Sequence, residues 1–241
     1  MLTLSASMAE TLFNIHELFL RKMHARYQLQ PVALKHPFPE RPARALGILK
    51  IDGAVFESEK FFRIMAMTTR FLVSSRCTRS IFLGPRVRLH LPIFSSETIL
   101  MGTRRAFLVD IHTTVRQERW QSLQIEEKMQ AIRNRYPDLC RHPLTLQGKI
   151  NDIMSAAHVY VRILPEQDAA AISLFNDYLD LYLDLVDAHP TGTDNNNRLA
   201  AEDFDHYYKT VIIHDPAVKL YSMLFGKNGG LERVNDLFFA R

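Results

Sequence analysis

Apolar residues first recur at helical spacing, at Leu12, Ile15, Leu18 and Phe19, which predicts an amphipathic helix packed on the domain. Ser7 followed by Glu10 forms a capping box ahead of it. Residues 28–44, "LQPVALKHPFPERPARA", hold four prolines and read as an extended connection. The period then changes to strands. "LGILKID" leads into an Asp-Gly turn at Asp52–Gly53, a hairpin signal, before "AVFESEKFFRIMAMTTRFLV". Further strands are expected at "RSIFLG", "VRLHLPIF" and "RAFLVDIHTTV". In the last, Phe107, Val109 and Ile111 alternate with Leu108, Asp110 and His112.

The second half reads as helices, over 117–136, about 150–163 and 166–188. In the third, Ile172, Phe175, Leu179, Tyr182 and Val186 make an apolar stripe. Asp177, Asp180, Asp184 and Asp187 make a separate acidic one, read as a solvated face rather than a cation site. "HPTGTDNNNR" (189–198) is a polar loop, and two or three short helices close the chain. Strands first and helices later give an α+β class with a largely antiparallel sheet, helices covering both faces. With no internal boundary, residues 1–241 are one domain, residues 1–44 forming the helix and proline-rich connection packed on it.

A chain of 241 residues with 47% hydrophobic and 23% charged residues fits a globular protein. No run nears the ~18 apolar residues of a membrane span. The N-terminal stretch has no charged start and mixes Glu10, His16 and Glu17 into its apolar run, unlike a signal peptide. Cys77 and Cys140 lie in no metal-type spacing and read as reduced thiols of a cytoplasmic protein. The net charge is +4, with Arg76, Arg79, Arg86, Arg88, Arg104 and Arg105 within a short span. No nucleic-acid-binding signature accompanies them.

Phosphate-loop, dinucleotide, nucleophile-elbow and zinc motifs are absent. His158 reads as a packed core residue. Two carboxylates stand out. Glu97 sits among apolar and hydroxyl neighbours in "LPIFSSETIL"; a strand-end surface position is one reading and a useful acid another. Asp215, in "VIIHDPAVKL", precedes Pro216 at a helix start and fits an N-cap.

From about residue 45 to the end the sequence resembles the ferredoxin-dependent bilin reductases. The resemblance rests on "FESEKFFRIM", "LPIFSSE", "AFLVDIHT", "SAAHVYVR", "HYYKTVIIHDPAVKLYSMLFG" and "NDLFF", in that order. It implies a three-layer α/β/α sandwich around a central antiparallel sheet. A linear tetrapyrrole, biliverdin or a related bilin, binds between the sheet and the C-terminal helices. Reduced 2Fe–2S ferredoxin delivers electrons one at a time. The enzyme itself holds no metal or flavin, and its side chains protonate bilin radicals. A bilin-accepting protein is a further implied partner.

Carried over by position, Glu97 stands where the family has its central catalytic aspartate. Asp215 stands where many members have a second proton donor, on the opposite bilin face. Arg162 stands at a propionate-binding arginine, and Arg105 lies near another propionate contact. His214, Ser80 and Thr68 are carried over as substrate-contacting positions. Ser80 and Thr68 replace the histidine and glutamate of the phycocyanobilin-forming members, which argues against phycocyanobilin as product. The alternatives are a bilin carrier without catalysis and a reductase of an open-chain chlorophyll catabolite.

Overall fold

The computed structural model describes residues 11–39, 42, 48–74, 76–146, 148–189 and 194–240. The Ser7–Glu10 capping box and part of the proline-rich connection lie outside the described residues. A seven-stranded antiparallel sheet runs β1 Gln30–Pro31, β2 Leu49–Glu57, β3 Phe61–Phe71, β4 Arg76–Pro85, β5 Phe94–Met101, β6 Arg104–Ile111 and β7 Val159–Ile163. The strands neighbour one another in chain order. Helices α1 Ile15–Arg26, α2 Gln117–Leu123, α3 Ile125–Arg133 and α4 Asp168–Ala188 precede the C-terminal set, α5 Asp194–His214, α6 Pro216–Phe225 and α7 Lys227–Val234.

Two cores form because the strands are apolar on both faces. On one face Phe19, Ile64, Leu83, Phe94, Phe107 and Phe175 pack α1 and α4 onto the sheet. Phe94 stacks on Tyr182 at 5.5 Å, and the Tyr182 hydroxyl donates to the Pro92 carbonyl at 2.8 Å. Burying each such ring is worth about 1.5–3 kcal/mol. On the other face Ile51, Met65, Phe82, Tyr207, Tyr221 and Leu237 pack the C-terminal helices. This is the expected α/β/α sandwich.

The acidic stripe of α4 is a docking edge for α1. Lys22 reaches Asp180 at 2.8 Å, and Arg26 reaches Asp184 and Asp187 at 2.6 Å each. Asp187 also accepts from the Tyr27 hydroxyl, and Asp177 from Tyr136 and Arg135. Exposed pairs of this kind are worth about 0–1 kcal/mol each, so they set orientation while the apolar face sets stability.

Several expected elements are corrected. No hairpin forms at Asp52–Gly53: β2 runs through both. The turn is at 58–60, where the Ser58 hydroxyl accepts from the Lys60 and Phe61 amides. Gly53 is needed for close approach instead, since a Cβ there would lie 2.6 Å from the Ala66 carbonyl oxygen. "VRLHLPIF" is a strand only at its last residue. Val87–Leu89 form a 3-10 turn and His90 is left-handed at φ 49°, because Pro92 has no N–H for a ladder. The 117–136 helix breaks at Gln124, φ 50°. Residues 149–153 form a 3-10 turn, and Val159–Ile163 a strand, where a helix was expected over 150–163. Its β-branched Val159, Val161 and Ile163 alternate inward and complete the sheet edge. His158 is therefore only half-buried just before a strand, its Nδ1 2.7 Å from the Ser155 carbonyl. The polar loop gives way to helix at Asp194, and α5 has 21 residues rather than being short. Among the described residues, no helix is long and apolar enough to cross a membrane.

Candidate functional site

Glu97 lies in the middle of β5, not at its end. Strand alternation turns Ser95, Glu97 and Ile99 toward the C-terminal helices, and Phe94, Ser96, Thr98 and Leu100 toward α1 and α4. Its register partners are Ser80 on β4 and Leu108 on β6. By area Glu97 is half-buried, but enclosure dominates its chemistry. Desolvation, with a smaller push from the charge of Asp215, raises its carboxyl to about 7, against a lowering hydrogen bond from Ser80.

Asp215 N-caps α6, as the Asp-Pro pair predicts: its Oδ1 accepts from the Ala217 amide at 2.7 Å. Burial raises its carboxyl too, opposed by that hydrogen bond. Tyr207 of α5 and Tyr221 of α6 complete the wall. Burial and the neighbouring carboxylates hold both phenols protonated, Asp215 acting on each and Glu97 on Tyr221. Two carboxyls on facing layers, both raised by burial, that of Glu97 to about 7, form an acid pair able to protonate a flat molecule from different sides.

A second polar group lies deeper on the same sheet face. Asp110, fully buried, accepts from the Ser155 amide at 3.0 Å and from the Ser155 hydroxyl. Burial raises its carboxyl to about 8. Ser95, its register partner, meets His112 Nε2 at 2.7 Å, and His112 Nδ1 lies 3.4 Å from the Tyr207 hydroxyl. Burial and nearby His158 lower the His112 imidazole to about 4. Sequence reasoning did not single out Asp110 and His112. The available signal was a carboxylate and an imidazole sharing one face of an otherwise apolar strand.

The remaining sequence candidates divide. Ser80 sits across from Glu97. His214, half-buried, ends α5 next to Asp215. Arg162 on β7 pairs with Ala106 and so shares the Glu97 face, exposed at the sheet edge. Two strand spacings and two residues of rise put its backbone about 12 Å from that of Glu97. Arg105 and Thr68 lie on the opposite face. Arg105 Nε is 2.6 Å from Asp168 Oδ1, both side chains buried. Thr68 Oγ1 is 3.4 Å from His16 Nδ1. Among the described residues, no group of three or more ligating side chains could hold a metal.

No curated protein sequence matches the chain. A crystal structure of phytochromobilin synthase from tomato, in complex with biliverdin, is similar in fold, with a TM-score of 0.78 at 16% identity. The likeness covers 92% of this chain and 80% of that one. The sequence model of the ferredoxin-dependent bilin reductases matches residues 16–239. From Glu97 on its strand to Asp215 at the start of α6, the site lies wholly within that match, and the chain belongs to the ferredoxin-dependent bilin reductase family.

Proposed function

We propose that this enzyme reduces biliverdin or a dihydrobiliverdin to a phytobilin other than phycocyanobilin, with Glu97 and Asp215 as proton donors. The observation that carries the reading is the facing pair itself: a strand carboxyl and a helix-cap carboxyl, both shifted upward by burial. Reducing one double bond takes two electrons and two protons. Two reduced 2Fe–2S ferredoxins give one electron each, and each electron raises the basicity of the bilin, which then takes a proton from a nearby acid. Arg162 suits capture of a bilin propionate, since a guanidinium meets a carboxylate through two parallel hydrogen bonds. The reduced product passes to a bilin-accepting protein.

The test is anaerobic incubation with biliverdin, ferredoxin and a ferredoxin-reducing system, followed by chromatography of the pigment. Reduction consumes biliverdin. A carrier shifts its absorbance and returns it unchanged. Arg162→Ala is expected to weaken biliverdin binding by roughly 1–3 kcal/mol, the scale of a charged hydrogen bond, read by absorbance titration. Unchanged affinity would mean that Arg162 meets no propionate.

The rate also carries a pH signature. Glu97 donates only when protonated, and its carboxyl loses the proton at about pH 7. Turnover under saturating ferredoxin is expected to fall as pH rises through 7, approaching tenfold per pH unit above it. A profile flat from pH 6 to 9 would exclude Glu97 as the donor in the slow step.

A further inference from the structure

Exposed apolar side chains are not spread evenly. Among the described residues, eight large ones are exposed, and six gather at one end of the sheet: Phe13, Ile48, Leu72, Val73, Met101 and Leu164. The register makes this end continuous. The Leu72 amide donates to the Ile48 carbonyl at 2.7 Å, Arg76 pairs with Met101, and Met101 with Arg104. Val73, at the tip of the β3–β4 turn, is 74% exposed. Exposed apolar side chains interleaved with arginines along one end of a sheet mark an interaction surface.

Around the strand turns the charge is basic, and the exposed carboxylate of Glu166 lies only at the far side, two residues beyond Leu164. Arg70, Arg76 and Arg104 are exposed around the patch. From Lys60 to Val109 the chain carries nine lysines and arginines and a single carboxylate, Glu97, which points into the site. The matching partner has apolar contact area ringed by carboxylates. The end is also close to the chemistry. Met101 is four residues from Glu97 along β5, a rise of about 14 Å, and Arg162 opens onto the same end of the sheet, one residue before Ile163, the partner of Arg105.

We propose that this end of the sheet, the β3–β4 and β5–β6 turns with Arg70, Arg76 and Arg104, is where an acidic 2Fe–2S ferredoxin docks. The proposal rests on the reductase reading above and assigns it an electron entrance. A partner seated on the two turns brings its cluster to the near edge of a bilin lying between Glu97 and Asp215. Each reduced ferredoxin gives up one electron and leaves oxidised, so the contact must be made and broken for every electron. Separate apolar contacts interleaved with charge suit that, since charge speeds encounter and a modest contact area keeps release fast.

The test uses the double variant Arg76→Glu/Arg104→Glu, with Val73→Asp as a second probe and Lys128→Glu on exposed α3 as the control. Affinity for oxidised ferredoxin is measured by calorimetry at low ionic strength. Turnover is measured with reduced ferredoxin and, separately, with a photoreduced flavin as a small-molecule donor. At least tenfold weaker ferredoxin binding and tenfold slower ferredoxin-driven turnover are expected in the double variant, with flavin-driven turnover and biliverdin binding unchanged. In the parent, ferredoxin-driven turnover is expected to slow with added salt, because such rim charges are screened over about 8–10 Å. Lys128→Glu changes none of these. Unchanged ferredoxin affinity in both patch variants overturns the proposal, as does a parent that self-associates through the patch, losing its dimer in Val73→Asp. If the parent binds ferredoxin through these arginines but consumes no biliverdin with either donor, the docking surface stands and the reductase reading falls.

Discussion

Replacing Glu97 with glutamine is expected to leave biliverdin binding intact and to lower turnover by roughly 10²–10⁴-fold, the scale for losing a positioned general acid. The amide keeps the shape and the hydrogen bond with Ser80 but has no transferable proton. A bilin radical then accumulates under anaerobic conditions, visible by its absorbance and electron spin resonance. The competing explanation, damage to the fold, has the opposite sign. The Glu97 carboxyl sits at about 7, above its ordinary 4.5, so the folded chain binds more protons than the unfolded one between those values. Stability therefore falls as pH rises through that window. At about 1.4 kcal/mol per pKa unit the penalty is of order 3 kcal/mol above pH 7, and glutamine does not pay it. The variant should thus be inactive and, at pH 8, more thermostable than its parent. Asp215→Asn should stop a different protonation or change the product. Parent-level turnover by Glu97→Gln would return Glu97 to a merely structural role.

Arg105→Ala is expected to cost about 3–5 kcal/mol of stability and to leave the bilin affinity of the folded fraction unchanged. The pair with Asp168 is 2.6 Å long with side chains only 6% and 5% exposed. Removing the guanidinium strands a desolvated carboxylate at the start of α4. It also removes the cation 5.6 Å from the Phe13 ring and loosens the tie between Asp168 and the Leu12 amide. For a domain of this size the loss corresponds to roughly 6–20 °C in Tm. Asp168→Asn should lose stability similarly, because it leaves the arginine unpaired. If Arg105→Ala kept its Tm and lost bilin affinity, the residue would belong to the substrate site after all.

Arg105 also illustrates what a linear sequence conceals. Strand period is two, so one step in register moves a side chain to the other face of the sheet. Ser80 pairs with Met67, which turns Thr68 away from Glu97. Nothing local marks that parity. The alternation of Phe107, Val109 and Ile111 and the apolar stripe of α4 were legible because the burial pattern repeats the chemical one. "VYVRI" carried the same alternating β-branched signal, but its five residues lay inside a longer apolar stretch read as helix, and what settles it is pairing with β6 and Asp110 holding Ser155, a contact 45 residues apart. Gly53 resembled a turn because Asp-Gly favours one, whereas its lost Cβ serves packing against β3. Asp215 was readable as a cap from its Pro216 neighbour. The acid role proposed for Glu97 rests on the resemblance of "LPIFSSE" to a family pattern, since its apolar and hydroxyl neighbours alone left a strand-end surface position equally open.

The contact between α1 and α4 has a consequence for synthesis. Strands β2 to β6 pair in chain order across short connections and can zip together as they leave the ribosome. Helix α1 cannot. Lys22 waits for Asp180, 158 residues later, roughly 8–30 s at ordinary elongation rates. Through that interval Ile15, Phe19 and Met23 have no finished surface to cover them. The nascent chain therefore presents an amphipathic helix to whatever binds such faces, and a holding chaperone should raise the folded yield more than it raises the stability of the finished protein.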